Sequence, residues 1–262
     1  LLHLPLRTIK LLLQYDGTDF FGWQIQPGKR TVQGVLRDAL RRLTCEDIRV
    51  FGAGRTDSGA HAIGQVASFL TESRLNVDIM KRALNALLPD DLSVISVEEM
   101  DRSFHARFSA KSRLYRYCFF CGDRIPPFLR RYAFWVKGTL DVERMREAAA
   151  DIIGTYDFSP FSVGREEGRD MRRTVYEAGI KVIDEVPLWP GMICREGFIV
   201  AFDIRANSFI RGMVRGLAGA LMMIGKGEAD TSIIREALSS GKLPIKGFWA
   251  PAHGLYLVEV EY

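Results

Sequence analysis

The decapeptide GAGRTDSGAH, residues 52–61, sets Asp57 and Arg55 among three glycines, between two runs that read as strands. A carboxylate in such a turn is either a solvated turn residue or the reactive group of a site. Nearby cations keep a partly buried carboxylate deprotonated. An ionised carboxylate can then act as nucleophile or base at a sugar carbon, as in glycoside cleavage.

Other chemistries fail on the letters. A dinucleotide fingerprint needs a glycine where Asp57 stands, and a P-loop needs Lys and Ser or Thr where Ala60 and His61 stand. A serine elbow around Ser58 would need glycines at 56 and 60, which are Thr and Ala. DSGA does match the short pattern of an aspartic protease, whose two carboxylates share one proton. This chain has one copy, so that site would require a dimer, and Arg55 would favour ionisation over a shared proton.

His3, His61, His105 and His253 have no metal-ligand spacing. Cys118 and Cys121 form a lone CxxC in a strand-like run, where an odd separation sends the side chains to opposite faces. They read as buried thiols, and Cys45 and Cys194 complete no paired framework. The expected chemistry uses side chains alone, with no metal and no cofactor.

Elements must position Asp57. RTIKLLLQY (7–15) alternates as a strand. Val32, Val35, Leu36, Ala39, Leu40 and Leu43 share one helical face behind an N-cap at Thr31. DIRVFGAG and IGQVASFL read as strands, 77–88 as a helix ended by Pro89, and LSVISVEE as a strand. That order is the ferredoxin-like βαββαβ unit. The second half approximates it: RLYRYCFFC, a helix over 141–153 capped by Asp141, the strands TVYEAGIKVIDEV and GFIVAFDIRA, helices over 208–224 and 231–239, and GLYLVEVEY. The expected fold class is α+β: two tandem ferredoxin-like units, with antiparallel sheets, helices on one face and an active-site cleft between the halves. The expected domains are 1–105, carrying Asp57, and 106–262.

A hydrophobic fraction of 47% supports a sizeable core, and a net charge of +4 allows a polyanionic partner. Between 102 and 131 eight basic residues face only Asp123, with Phe104, Phe108, Tyr115, Tyr117 and Phe128 among the aromatics interleaved; between 205 and 226 the four charges are all basic. Two such stretches point to a phosphate-backbone surface. LLHLPLRTIK lacks signal-peptide features and GLAGALMMIG is too short to span a bilayer, so the protein is expected in the cytoplasm, away from membranes.

Five blocks spread over nearly the whole chain, YDGTDFFGWQ, GAGRTDSGAHA, FHARFSAKSRLYRY, NSFIRGMVRGLAGALM and GLYLVEVEY, resemble the tRNA pseudouridine synthase A family in content and order. The resemblance implies an isomerase converting uridine to pseudouridine at positions 38, 39 and 40 of the tRNA anticodon stem-loop. It implies that Asp57 is the catalytic residue and that Tyr115 stacks on the target base and helps remove its C5 proton. It further implies that Arg215 pairs with the aspartate, that Leu255 walls the pocket, and that Arg55 assists entry of the flipped nucleotide. Homodimers, with one tRNA contacting both subunits, are also implied. The competing readings are a non-catalytic RNA-binding protein built on two sheet platforms and, behind it, the aspartic protease dimer. DGTDFFGWQ and FSVGREEGRDMRR are candidate moving loops.

Overall fold

A computed structural model describes residues 6–164, 170–183, 197–243 and 249–262. By contacts the chain forms two compact units, Leu1–Arg113 with Tyr256–Tyr262, and Leu114–Leu255. These bounds differ from the expected 1–105 and 106–262. Arg113 donates to Ala53 O, Ser112 Oγ donates to Glu261, and Lys111 N donates to Glu261 O. Hydrogen bonds therefore carry the first unit past residue 105 and recover the chain's last residues for it.

The first unit contains β1 (Arg7–Tyr15), α1 (Val32–Thr44), β2 (Phe51–Gly52), β3 (His61–Thr71), α2 (Val77–Leu87) and β4 (Leu92–Met100). The strand order is β4-β1-β3 with β2 beyond β3, as a ferredoxin-like unit requires, and β1 is antiparallel to both neighbours. Alternation along β1 buries Ile9, Leu11 and Leu13 completely. Val32, Leu36, Ala39 and Leu40 are buried on α1, as are Met80 and Leu84 on α2. Thr31 caps α1 through Gly34 N, as its position predicts, and Asn85 fastens α2 to both backbone groups of Val94.

DIRVFGAG yields only a two-residue strand, Phe51–Gly52. It pairs antiparallel with Ala67–Ser68 on β3. Farther along the same strand, His61–Ala62 pairs in parallel with Tyr256–Leu257 of β10 (Leu255–Glu261). That parallel pairing departs from the all-antiparallel expectation. Its consequence is positional: the loop carrying Asp57 lies between two partners of one strand.

The second unit contains β5 (Ser112–Gly122) from Leu114 onward, β6 (Phe134–Lys137), α3 (Val142–Ala150), β7 (Gly154–Asp157), β8 (Arg172–Ile183), β9 (Gly197–Ala206), α4 (Met213–Gly225) and α5 (Ile233–Ser240). Its strands follow the order β5-β9-β8-β7, with β6 parallel to β5. Asp141 caps α3 through Arg144 N, and α3 packs on β8 and α4. The helix expected over 208–224 starts only at Met213, because Gly212 at φ 78° breaks helical geometry before it. Residues 184–186 of the strand expected over 174–186 lie outside the described residues. Among the described residues no helix is long and apolar enough to cross a membrane.

Candidate functional site

Asp57 opens a tight turn in which Ala60 N donates to Asp57 O (3.1 Å) and Gly59 sits at φ 80°. Glycine there relieves the cost of the left-handed backbone that a type II turn demands. Asp57 is half-buried and Arg55 exposed.

The turn is held by the loop that follows β1. Trp23 N donates to Thr56 O (3.1 Å), Gly59 N to Phe20 O (3.2 Å), Ser58 Oγ to Phe20 O (3.3 Å), and Gly17 N to His61 Nδ1 (3.0 Å). Two glycines permit this approach. A Cβ on Gly22, already at φ 78°, would lie 2.6 Å from Thr56 O, and one on Gly17 would overlap Ala60 O. Phe20 and Trp23 are buried, and the Arg30 guanidinium lies 4.0 Å over the Phe20 ring while gripping Asp91 with two bonds of 2.8 and 2.7 Å. DGTDFFGWQ, a candidate moving loop, is thus the frame that fixes Asp57. Of the other candidate, residues 165–169 lie outside the described residues.

Beneath the turn lies a polar network that the sequence reading missed. Gln65, 0% exposed, donates from Nε2 to Gly54 O (2.9 Å), while its Oε1 accepts from Val66 N (3.1 Å) and Gly54 N (3.4 Å). Tyr15 shares a 2.8 Å hydrogen bond with Thr56 Oγ1, and Gln65 Nε2 reaches the Tyr15 hydroxyl at 3.5 Å. Burial pushes the Tyr15 hydroxyl up to about 12, against smaller opposing effects of these two bonds, so it stays protonated. Buried Arg113 donates to the carbonyls of Ala53, Arg107 and Ala110. The loop is therefore held by buried partners at Ala53, Gly54 and Thr56, before Asp57, and by Phe20 O at Ser58 and Gly59, after it. The one signal available beforehand was a glutamine at 65 among apolar strand residues. His61 keeps a structural role, its ring stacked on Tyr256 at 4.9 Å.

The second unit holds Tyr115, Arg215 and Leu255. Tyr115 is 6% exposed on β5, its ring edge-on to Phe209 at 4.9 Å. Two residues on, same-faced Tyr117 donates to Pro251 O (2.7 Å), its hydroxyl held far above its ordinary value by burial, with Arg215 pulling the other way. Arg215 Nε donates to Ala250 O (2.6 Å), and Ala250 N donates back to Arg215 O (3.1 Å). The segment leading into Leu255, itself buried, is therefore stapled to α4 and β5.

Tertiary partners thin the basic surface. Arg116 grips Asp203 with bonds of 2.6 and 2.8 Å, joined by Lys181 at 3.1 Å. Burial pushes the Asp203 carboxyl up, but the bonds and charges of Arg116 and Lys181 outweigh it and hold it below its ordinary value. Arg205 meets Glu177 at 3.5 Å, and Arg113 is spent on carbonyls. Stretches short of acid in sequence thus acquire acids from other strands.

Cys118 and Cys121 lie on β5; burial pushes their thiols to about 12 and 11, the protonated state of inert core residues. Cys194 lies outside the described residues. Among the described residues no His, Cys, Asp or Glu cluster could hold a metal ion.

Residues 12–109 and 148–262 match the family model described as tRNA pseudouridine synthase. Asp57, Arg55, Arg215 and Leu255 fall within the matched stretches, and Tyr115 falls between them. The chain is 39% identical over 254 residues to a tRNA pseudouridine synthase A from Thermodesulfovibrio yellowstonii, covering 97% of this chain and 99% of that protein. It is 38% identical over 257 residues to one from Acetivibrio thermocellus, covering 98% and 100%, and 41% identical over 258 residues to one from Brevibacillus brevis, again covering 98% and 100%. A solved Cbf5-Nop10-Gar1 complex overlaps at a TM-score of 0.35 with 12% identity, covering 95% of this chain and 57% of that one, too distant to bear on the assignment.

Proposed function

Because the chain belongs to the tRNA pseudouridine synthase family, we propose that it isomerises uridine to pseudouridine in tRNA, on the 3′ side of the anticodon arm. The full-length match to the family, spanning the Asp57 loop, is the observation that carries this reading. In the reaction the N1–C1′ bond breaks and a C5–C1′ bond forms. A proton leaves C5 and one is gained at N1, so atoms and electrons balance without a co-reactant.

The chemistry sets three demands. The nucleotide must leave the stack, which costs a few kcal/mol that phosphate contacts and aromatic stacking offset. Asp57 is the catalytic group, and its carboxylate has three ways to start: attack at C1′, attack on the base, or removal of the 2′ proton. Each consumes an ionised carboxylate, so each is lost in Asp57→Asn. The detached base must then turn without escaping, in a site poor in water. Tyr115, Arg55, Arg215 and Leu255 are the substrate-binding residues of this reading, with Tyr115 against the base and Leu255 as an apolar wall. The buried framework around residues 53–60 supports the catalytic role of Asp57, because catalysis rewards a reacting group held at one position. The protein works in the cytoplasm as a homodimer.

Mapping pseudouridine in tRNA transcript after incubation with the purified protein tests the proposal. The wild type should convert anticodon-arm uridines, and Asp57→Asn should lower the rate by at least about 10³-fold while RNA affinity holds. A wild type that binds tRNA and forms no pseudouridine would establish the non-catalytic binder instead.

A further inference from the structure

On the surface of the first unit a row of rings and guanidinium groups runs outward from the strand that feeds the catalytic loop. Arg49 lies 4.9 Å over the Phe51 ring; the Phe51 and His105 rings are 4.6 Å apart; His105 and Phe108 follow at 4.4 Å; and Arg107 lies 5.5 Å over Phe108. The ring pairs are tilted by 48° and 34°. Phe108 ends the row at 76% exposure.

That exposure is held in place. His105 Nδ1 accepts from Arg107 N (3.1 Å) and Phe108 N (3.4 Å), and Ser109 closes the turn through His105 O and His105 N. Ala106 N donates to Ser68 Oγ, Tyr262 donates to Ala106 O, and Arg113 donates to Arg107 O. Burial, aided by Arg107, lowers the His105 pKa, which keeps the imidazole neutral and Nδ1 free to accept. A phenylalanine presented this rigidly to water forgoes the gain of burial. Arg107 lies exposed beside it, Arg49 is exposed at the Phe51 end of the row, and Arg102 is exposed earlier in the same loop, whose acid is Asp101. Aromatic faces among cations are the means by which proteins hold unpaired bases beside a phosphate backbone.

We propose that Phe108 is a stacking platform for an unpaired base of the RNA substrate, distinct from the reacting nucleotide, with Arg49 and Arg107 meeting the flanking phosphates. The proposal rests on the RNA-modifying function above and adds a contact to it. Its row begins at Phe51, two residues before the loop whose path positions Asp57, so a base held there brings its strand towards that loop.

The test compares binding of an RNA hairpin with an unpaired loop and a fully paired RNA duplex of the same length, by fluorescence anisotropy. Phe108→Ala should weaken hairpin binding by roughly 5- to 150-fold, the loss of one base–aromatic stack, and leave the weaker duplex binding unchanged. Phe108→Tyr should bind the hairpin as the wild type does, and Phe108→Leu, which keeps apolar bulk without a π face, should behave like alanine. Equal hairpin binding by wild type and Phe108→Ala, equal losses on both probes, or full binding by Phe108→Leu would each overturn the platform. Pseudouridine formation by the wild type is scored separately. Its absence sinks the enzymatic reading, whereas an active wild type with an indifferent Phe108→Ala sinks the platform alone.

Discussion

Gln65→Leu separates holding the Asp57 loop from merely filling the core. Leucine replaces the side chain at similar volume but removes the amide that serves Gly54 O at 2.9 Å and Val66 N at 3.1 Å. Gln65 is fully buried, so water cannot replace it freely. Each stranded group costs about 1–3 kcal/mol, giving roughly 2–6 kcal/mol in all. At this chain length that corresponds to a fall in Tm of roughly 5–20 °C. The functional effect goes further, because Gly54 loses a bond three residues before Asp57. A displacement near 1 Å at a catalytic group costs about 100-fold in rate. Measured well below the new Tm, kcat for pseudouridine formation should therefore fall by roughly 10- to 100-fold, with a smaller change in KM. Thermal unfolding followed by circular dichroism, beside single-turnover and steady-state rates on tRNA transcript, reads both quantities. A lower Tm with kcat intact would reduce Gln65 to a packing residue. An unchanged Tm would refute the hydrogen-bond accounting itself.

Gly22→Ala should lower Tm and kcat together, since the left-handed backbone costs about 1–2 kcal/mol with a side chain and the new Cβ would meet Thr56 O; an unchanged melting curve would show the loops free to separate. Asp203→Asn should cost about 1–3 kcal/mol at neutral pH, less than for a fully buried pair, because it deprives Arg116 of its carboxylate. The native Asp203 pKa lies below its unfolded value, so its contribution is complete above about pH 4 and is lost as pH falls through the native pKa. The Tm difference between wild type and Asp203→Asn should accordingly shrink in acid, and a constant difference would argue against the ion pair.

Local patterns determined the elements. Period-two alternation marks β1 at its observed bounds, and GFIVAFDIRA is β9 residue for residue. Thr31 and Asp141 act as the caps their positions announce, because a cap depends on its own three-residue neighbourhood. Five separated blocks sufficed for the family. Where pairing energy comes from a distant strand, local reading fails. β6 and β7, four residues each, were not expected, and DIRVFGAG keeps only the two residues that β3 accepts. The same limit governs the site. Asp57 stands out in sequence because three glycines flank it closely. Gln65, Tyr15 and Arg113 do not, because their partners are backbone atoms and a hydroxyl brought near only by folding. Asp203 and Glu177 likewise meet basic residues that have few or no acids nearby along the chain. Residue type and spacing sufficed to single out Asp57 as the candidate carboxylate. Only the tertiary structure decided what holds it still, because hydrogen bonds and charge depend on distance in space.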